Sequence, residues 1–161
     1  MSAYSKLAGV PVVVQGGAAS VSAGPAAAAP TAAVELSPRH NLPPWLPRLF
    51  GRAEDLRLVG ELLDRHPLVT VTGTGGIGKT RLAQTVASAR LETTPDGLWW
   101  VDLAPLTDPT RVADALALAM GLRPKDGQSP TDALVAALAG GAPLLVLDNA
   151  EHLLDGVVAL V

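Results

Sequence analysis

Between Gly73 and Thr80 the chain reads GTGGIGKT, which fits the spacing G-x-x-x-x-G-K-S/T. Each fixed position has a physical task in holding a polyphosphate. Glycines at 73, 75, 76 and 78 let the backbone turn tightly and aim its N–H groups inward, making a concave anion nest. Thr74 and Ile77 lie on the same loop and belong with its binding residues. A helix opening directly after the loop would add the positive end of its dipole. Lys79 would reach the β- and γ-phosphates as a point charge, and the Thr80 hydroxyl would ligate Mg²⁺. Residue frequencies in this chain, with its 16 glycines, would produce the pattern by accident in roughly one such sequence in three hundred. The motif implies binding of ATP or ADP with Mg²⁺.

A second group lies 68 residues further on. Asp148 ends the apolar run LLVLD, Leu144 to Asp148. Open α/β sheets place their ligand groups at that end of a strand. A carboxylate there would hold Mg²⁺ directly or through water, although an aspartate also ends strands for purely local reasons. Hydrolysis would need a group that orients the attacking water, and Asn149, Glu151 and His152 follow the strand. Glu151 has the charge of a general base, yet a solvated acid in the first turn of a helix looks the same. His152 fits a surface or packing role as well as a chemical one.

These residues need elements to hold them. Leu68 to Thr72, LVTVT, reads as a buried strand running into the Gly-rich loop. Lys79 to about Leu91 has no Gly or Pro and reads as a helix carrying Leu82 and Val86. Leu98 to Leu103, LWWVDL, is a second strand whose adjacent Trp99 and Trp100 must point to opposite faces. Asp108 with Pro109, and Ser129 with Pro130, look like helix starts. Asp132 sits like the acid of a capping box. Gly121 and the pair Gly140 and Gly141 look like the matching stops. A further helix, with Leu56, Val59 and Leu63, precedes the first strand and closes at Pro67. Strands alternating with helices predict an α/β sandwich, three layers around a parallel sheet of about three strands.

Composition excludes several other chemistries. The chain has 161 residues, 12 basic and 15 acidic side chains and a net charge of −3, without a run of Lys or Arg to track a nucleic acid. There is no cysteine, hence no disulfide or thiolate metal site, which fits the cytoplasm. His40, His66 and His152 are too far apart for a zinc pair. No apolar run approaches the ~20 residues that span a bilayer. Residues 1–40 are mostly Ala, Gly, Pro, Ser and Val and read as a disordered leader or linker. The patch Val10 to Val14 is broken at Pro11 and makes a poor signal peptide. Residues 41–161 form the second unit. Its opening, NLPPWLPRLFGR, is an extended segment with Trp45 and Phe50 as expected anchors.

Taken together, NLPPWLPRLFGRAEDL, LVTVTGTGGIGKTRLA, GLWWVDLAPLTDP and LLVLDNAEHLL resemble the signal-transduction ATPases (the STAND class) with an NB-ARC-type nucleotide-binding domain. Within them the wording is closest to modules of large bacterial transcriptional regulators of the LuxR and AfsR-like types. The resemblance implies a P-loop NTPase fold and a switch: ADP holds a resting form, and exchange for ATP permits opening and homo-oligomerisation in the longer protein. It places Arg52, after Phe50 and Gly51, near the adenine and ribose, and brings in Arg81 just after the loop, where a plain surface role is equally open. Many relatives end the metal-binding strand with two acids, whereas Asn149 follows Asp148 here, implying slow or absent turnover. The resemblance also places a later strand, beyond Val161, between the loop strand and the Asp148 strand. The downstream effector or DNA-binding domains would lie further on. The expected object is therefore the N-terminal part of a module whose metal ligands need a missing spacer. A small metabolite kinase and an inactive truncated product are the competing expectations.

Overall fold

The computed structural model describes residues 12–15, for which the backbone alone is considered, 40–42 and 49–160. Four strands form one parallel sheet: β1 (Val12–Gln15), β2 (Leu68–Val71), β3 (Leu98–Asp102) and β4 (Leu144–Asp148). Their spatial order is β2-β1-β4-β3. β4 is buried along its whole length, as expected for a run of Leu and Val covered on both faces of a parallel sheet.

Alternation along β4 divides the core. Leu144 and Val146 face a layer made by α1 (Ala53–Arg65) and α2 (Lys79–Ala89), where Val59, Leu63, Leu82, Val86 and Ala87 pack. Leu145 and Leu147 face the opposite layer, α3 (Val112–Ala119), α4 (Pro130–Leu138) and α5 (Leu154–Val158), through Val112, Leu116, Leu134, Leu138 and Val157. Trp99 joins this second layer and Trp100 the first, so the two indoles do divide between the faces. The result is the expected three-layer α/β sandwich. Arg90 ties α1 to α2 by donating to Gly60 O and to Asp64 Oδ1, each at 2.6 Å.

The helix signals act as their chemistry dictates. Asp108 caps a single 3₁₀ turn, Pro109–Arg111, that runs into α3. The Thr110 hydroxyl and then its amide hold the Asp108 carboxyl below the usual aspartate range. Ser129 caps α4 by accepting from Asp132 N at 3.1 Å. Gly121, at φ +67°, ends α3 in the left-handed region, and Leu122 N returns to Ala117 O.

Two expectations change. The sheet has four strands rather than about three, because Val12–Gln15, inside the stretch read as a disordered leader, forms β1. It pairs in parallel with β2, Val12 opposite Leu68, and with β4, Val12 opposite Leu145. The place between the loop strand and the Asp148 strand is thus filled from upstream in the chain, not left to a strand beyond Val161. The other leader residues lie outside the described ones. Phe50, expected as an anchor, is 79% exposed, and Trp45 lies outside the described residues. The segment does pack at its start. His40 bridges Leu98, Leu42 is buried, and the Asn41 side chain completes the edge of β3 by accepting from Trp100 N at 2.6 Å and donating to Trp100 O at 2.7 Å.

Candidate functional site

In a parallel sheet every strand ends on the same side, so the loops after β2, β3 and β4 share one edge. The loop Gly73 to Gly78 leaves β2 and delivers the chain to the first turn of α2. Gly76 at φ +76° and Gly78 at φ +88° occupy the left-handed region, which costs other residues strain and lets the N–H groups converge. A Cβ placed at Gly75, Gly76 or Gly78 would meet nothing within 4 Å. The space beside these glycines is open, and α2 begins directly after them.

Lys79 folds over this loop, its Nζ donating to Gly73 O at 2.9 Å and Thr74 O at 3.1 Å. Among the described residues no carboxylate pairs with it. Thr80, one residue on, donates its hydroxyl to Asp148 Oδ1 at 3.1 Å. Two residues 68 positions apart in sequence are thereby brought into direct contact. Asp148 is 5% exposed. Burial raises its pKa, the Thr80 hydroxyl and the Asn149 amide pull it down, and the charges of Asp102 and Glu151 add to the upward push. A buried carboxylate facing two like charges is a group that a cation would relieve.

Arg52 approaches the loop from the other side. It donates Nη1 to Ile77 O at 2.9 Å and pairs through Nε with Asp55. Ile77 is half exposed beside it. Arg81 points to solvent from α2, and Glu151 is exposed beyond β4. His152 is exposed too, its Nε2 2.7 Å from Leu106 O, which ties the loop after β4 to the loop after β3. Asp102, which sequence reasoning passed over, stands opposite Asp148 in the ladder and accepts from Asn149 Nδ2 at 2.8 Å. Asp102 ends an apolar run as Asp148 does, and what gives it weight is its register beside Asp148.

Among the described residues no group of three or more His or acidic side chains could hold a metal alone. That suits Mg²⁺, which usually takes one or two carboxylates with waters and ligand phosphates. Thr80 and Asp148, beside an open anion nest, are the residues that fit it. A cavity of about 440 Å³, lined by Asp96, Trp99, Met120 and Pro143, lies at the opposite edge, where β3 and β4 begin. It is remote from these groups. No helix among the described residues is long and apolar enough to cross a membrane.

Comparison with known proteins agrees with the fold. A Mycobacterium bovis protein and a Mycobacterium tuberculosis protein, both bearing the name HTH-type transcriptional regulator, are each 50% identical over 100 residues, 62% of this chain and 11% of theirs. An uncharacterized Mycobacterium tuberculosis protein is 37% identical over 126 residues, 78% of this chain and 32% of its own. The chain thus spans about a tenth of the length of the first relatives and a third of the other. No solved structure matches it. The family model for the AAA domain matches residues 63–160, from the end of α1 past α5 and through both the Gly-rich loop and Asp148, and the chain belongs to the AAA domain family.

Proposed function

We propose that the chain is a Mg²⁺-dependent ATP/ADP-binding switch module of a signalling or transcription-regulatory ATPase, of the NB-ARC type to which its motifs are similar. The observation that carries this is the contact of Thr80 with buried Asp148 at the rim of an open, lysine-covered glycine loop. The loop's N–H groups and the α2 dipole bind the phosphates, and Lys79 exchanges its two carbonyl partners for phosphate oxygens. Thr80 and Asp148 hold the metal, which supplies charge neutralisation between the phosphates. Arg52, already bound to the loop backbone at Ile77, flanks the nucleotide's base and sugar. Relatives named as HTH-type transcriptional regulators support a regulatory role. In this reading DNA-binding or effector parts lie elsewhere in a longer protein, in which ATP permits self-association. With Asn149 after Asp148, turnover is slow.

Titration of the chain and of Lys79→Ala with ATP and ADP, with and without Mg²⁺, tests this. Wild type should bind both nucleotides and the variant should lose at least tenfold in affinity, the loss of one charge-assisted contact worth about 1.5–3 kcal/mol. Equal weak signals from both proteins would sink the reading. ATP-dependent phosphorylation of a small metabolite would instead favour a kinase.

A further inference from the structure

Asn149 is the one non-glycine residue with positive φ among those described, at +57°, a conformation that asparagine tolerates better than most residues. Its backbone N–H donates to Asp148 Oδ1 at 3.0 Å, and its side-chain Nδ2 donates to Asp102 Oδ1 at 2.8 Å. Asp102 is itself fixed. The same oxygen accepts from Ala104 N at 3.0 Å, and Leu103 N bonds Asp148 O at 2.9 Å, so β3 and β4 stay paired up to their last residues. His152 on Leu106 O closes the far side of the two loops.

A carboxylate can only accept here, so it dictates which end of the Asn149 amide faces it. The NH₂ end is committed to Asp102. Nothing among the described residues donates to Asn149 Oδ1, which leaves one fixed acceptor beside the metal-side carboxylate. We propose that Asp102 is a positioning residue that clamps the Asn149 amide so that its Oδ1 orients the water attacking the γ-phosphate of ATP. This rests on the nucleotide-switch reading above. The clamp requires an amide at this position: an aspartate at 149 would meet Asp102 carboxylate to carboxylate.

The chemistry balances without a general base. The water oxygen bonds to the γ-phosphorus while the bond from that phosphorus to the β,γ-bridging oxygen breaks and ADP leaves. The water proton ends on the phosphate product, because an amide cannot take it. Orientation without proton removal predicts slow turnover, the behaviour of a timer.

Four forms of the full chain test the clamp: wild type, Asp102→Ala, Asn149→Asp, and the exchanged pair Asp102→Asn with Asn149→Asp, which keeps an amide against a carboxylate. In the nucleotide-free protein, side-chain amide NMR should show one Asn149 Nδ2 proton shifted downfield, and Asp102→Ala should abolish that shift. With ATP and Mg²⁺, Asp102→Ala should cut kcat about 10- to 100-fold, the usual loss for a supporting partner, with ATP affinity held within about twofold. Asn149→Asp should also lose turnover. The exchanged pair should regain wild-type turnover or exceed it, which a merely structural role would not produce. An unshifted Asn149 amide in wild type, unchanged kcat in Asp102→Ala, or an exchanged pair no better than the single variants would each overturn the proposal. So would ATP binding without turnover in both wild type and the exchanged pair. Loss of ATP binding by wild type would instead overturn the nucleotide reading, while the nucleotide-free amide signal still reports the clamp.

Discussion

Replacing Asp148 by asparagine should stabilise the nucleotide-free protein while abolishing its response to Mg²⁺. Asp148 is 5% exposed, and both hydrogen bonds it accepts, from Thr80 and from the Asn149 amide, fall on Oδ1. Its second oxygen has no donor among the described residues, and Asp102 and Glu151 oppose its charge. A buried polar group left unpaired costs about 1–3 kcal/mol, and two good bonds on the other oxygen argue for the lower figure. Asparagine keeps that accepting oxygen and, although its NH₂ has no acceptor shown where the second oxygen stood, removes the buried charge that Asp102 and Glu151 oppose, so a net gain of about 1 kcal/mol is expected. At roughly 4 °C per kcal/mol for a domain of this size, the melting midpoint should rise by about 4 °C. Mg²⁺ and ATP at a hundred times their dissociation constant should stabilise wild type by about 2.7 kcal/mol, or roughly 10 °C, and the variant hardly at all. The two proteins therefore exchange rank on adding ligand. The pH dependence has a definite sign. The folded-state pKa of Asp148 is raised, so its cost is absent below the unfolded value, near pH 4, and is fully present above the folded one. The advantage of the variant should shrink as pH falls from neutrality toward about 4. Differential scanning calorimetry at several pH values reads both effects. A nucleotide-free variant less stable than wild type, or an undiminished Mg²⁺ response, would refute the assignment of Asp148 as an unrelieved metal carboxylate.

Two other perturbations probe the scaffold. Gly156 of α5 leaves no space for a side chain, since a Cβ would stand 2.1 Å from Pro109 O and 2.9 Å from Val112 Cγ2. Gly156→Ala should lower the melting midpoint by an amount corresponding to about 1–3 kcal/mol of overpacking. A rise, as helix propensity alone would give, would show that the contact is not as close as described. Deleting residues 1–17 removes β1 and bares the facing edges of β2 and β4. Loss of cooperative unfolding by circular dichroism, with aggregation in size-exclusion chromatography, is the expected outcome. A monomeric, cooperatively folding deletion variant would show that the sheet closes without β1.

What could be read from the sequence was local. The glycine loop is legible because each glycine answers a backbone demand within a few residues, and β2, β3 and β4 because Leu, Val and Trp runs end at turn residues. Asp148 followed from its place at the end of such a run. β1 was not legible: VVVQ is four residues long, sits among Ala, Gly and Pro, and resembles a broken apolar patch. Only its two ladders, with β2 and β4, make it a strand, and they involve partners more than 50 and 130 residues away. Asp102 was missed for the same reason. Its importance comes from the residue facing it across the ladder. Phe50 shows the converse, an aromatic side chain whose apolarity suggested an anchor but which lies 79% exposed.

β1 also sets the distance on which the site depends. Neighbouring strands lie about 4.8 Å apart, so β2 and β4, with one strand between them, stand roughly 10 Å apart. The loop and the first turn of α2 cross that gap, and Thr80 arrives within 3.1 Å of Asp148. Were β1 withdrawn and β2 joined directly to β4, the loop would shift sideways by about one strand spacing. That is more than a hydrogen bond tolerates, and Thr80 and Asp148 could no longer share a metal. Were the gap instead left open, four residues of unpaired backbone on β2 and three on β4 would face one another through water. Either way the anion nest could survive, being built within a single loop, while the metal pair could not. In whatever fraction of a protein lacking the middle strand stays folded and soluble, nucleotide binding that becomes independent of Mg²⁺ is therefore the specific defect expected, and it separates failure of the spacer from failure of the loop.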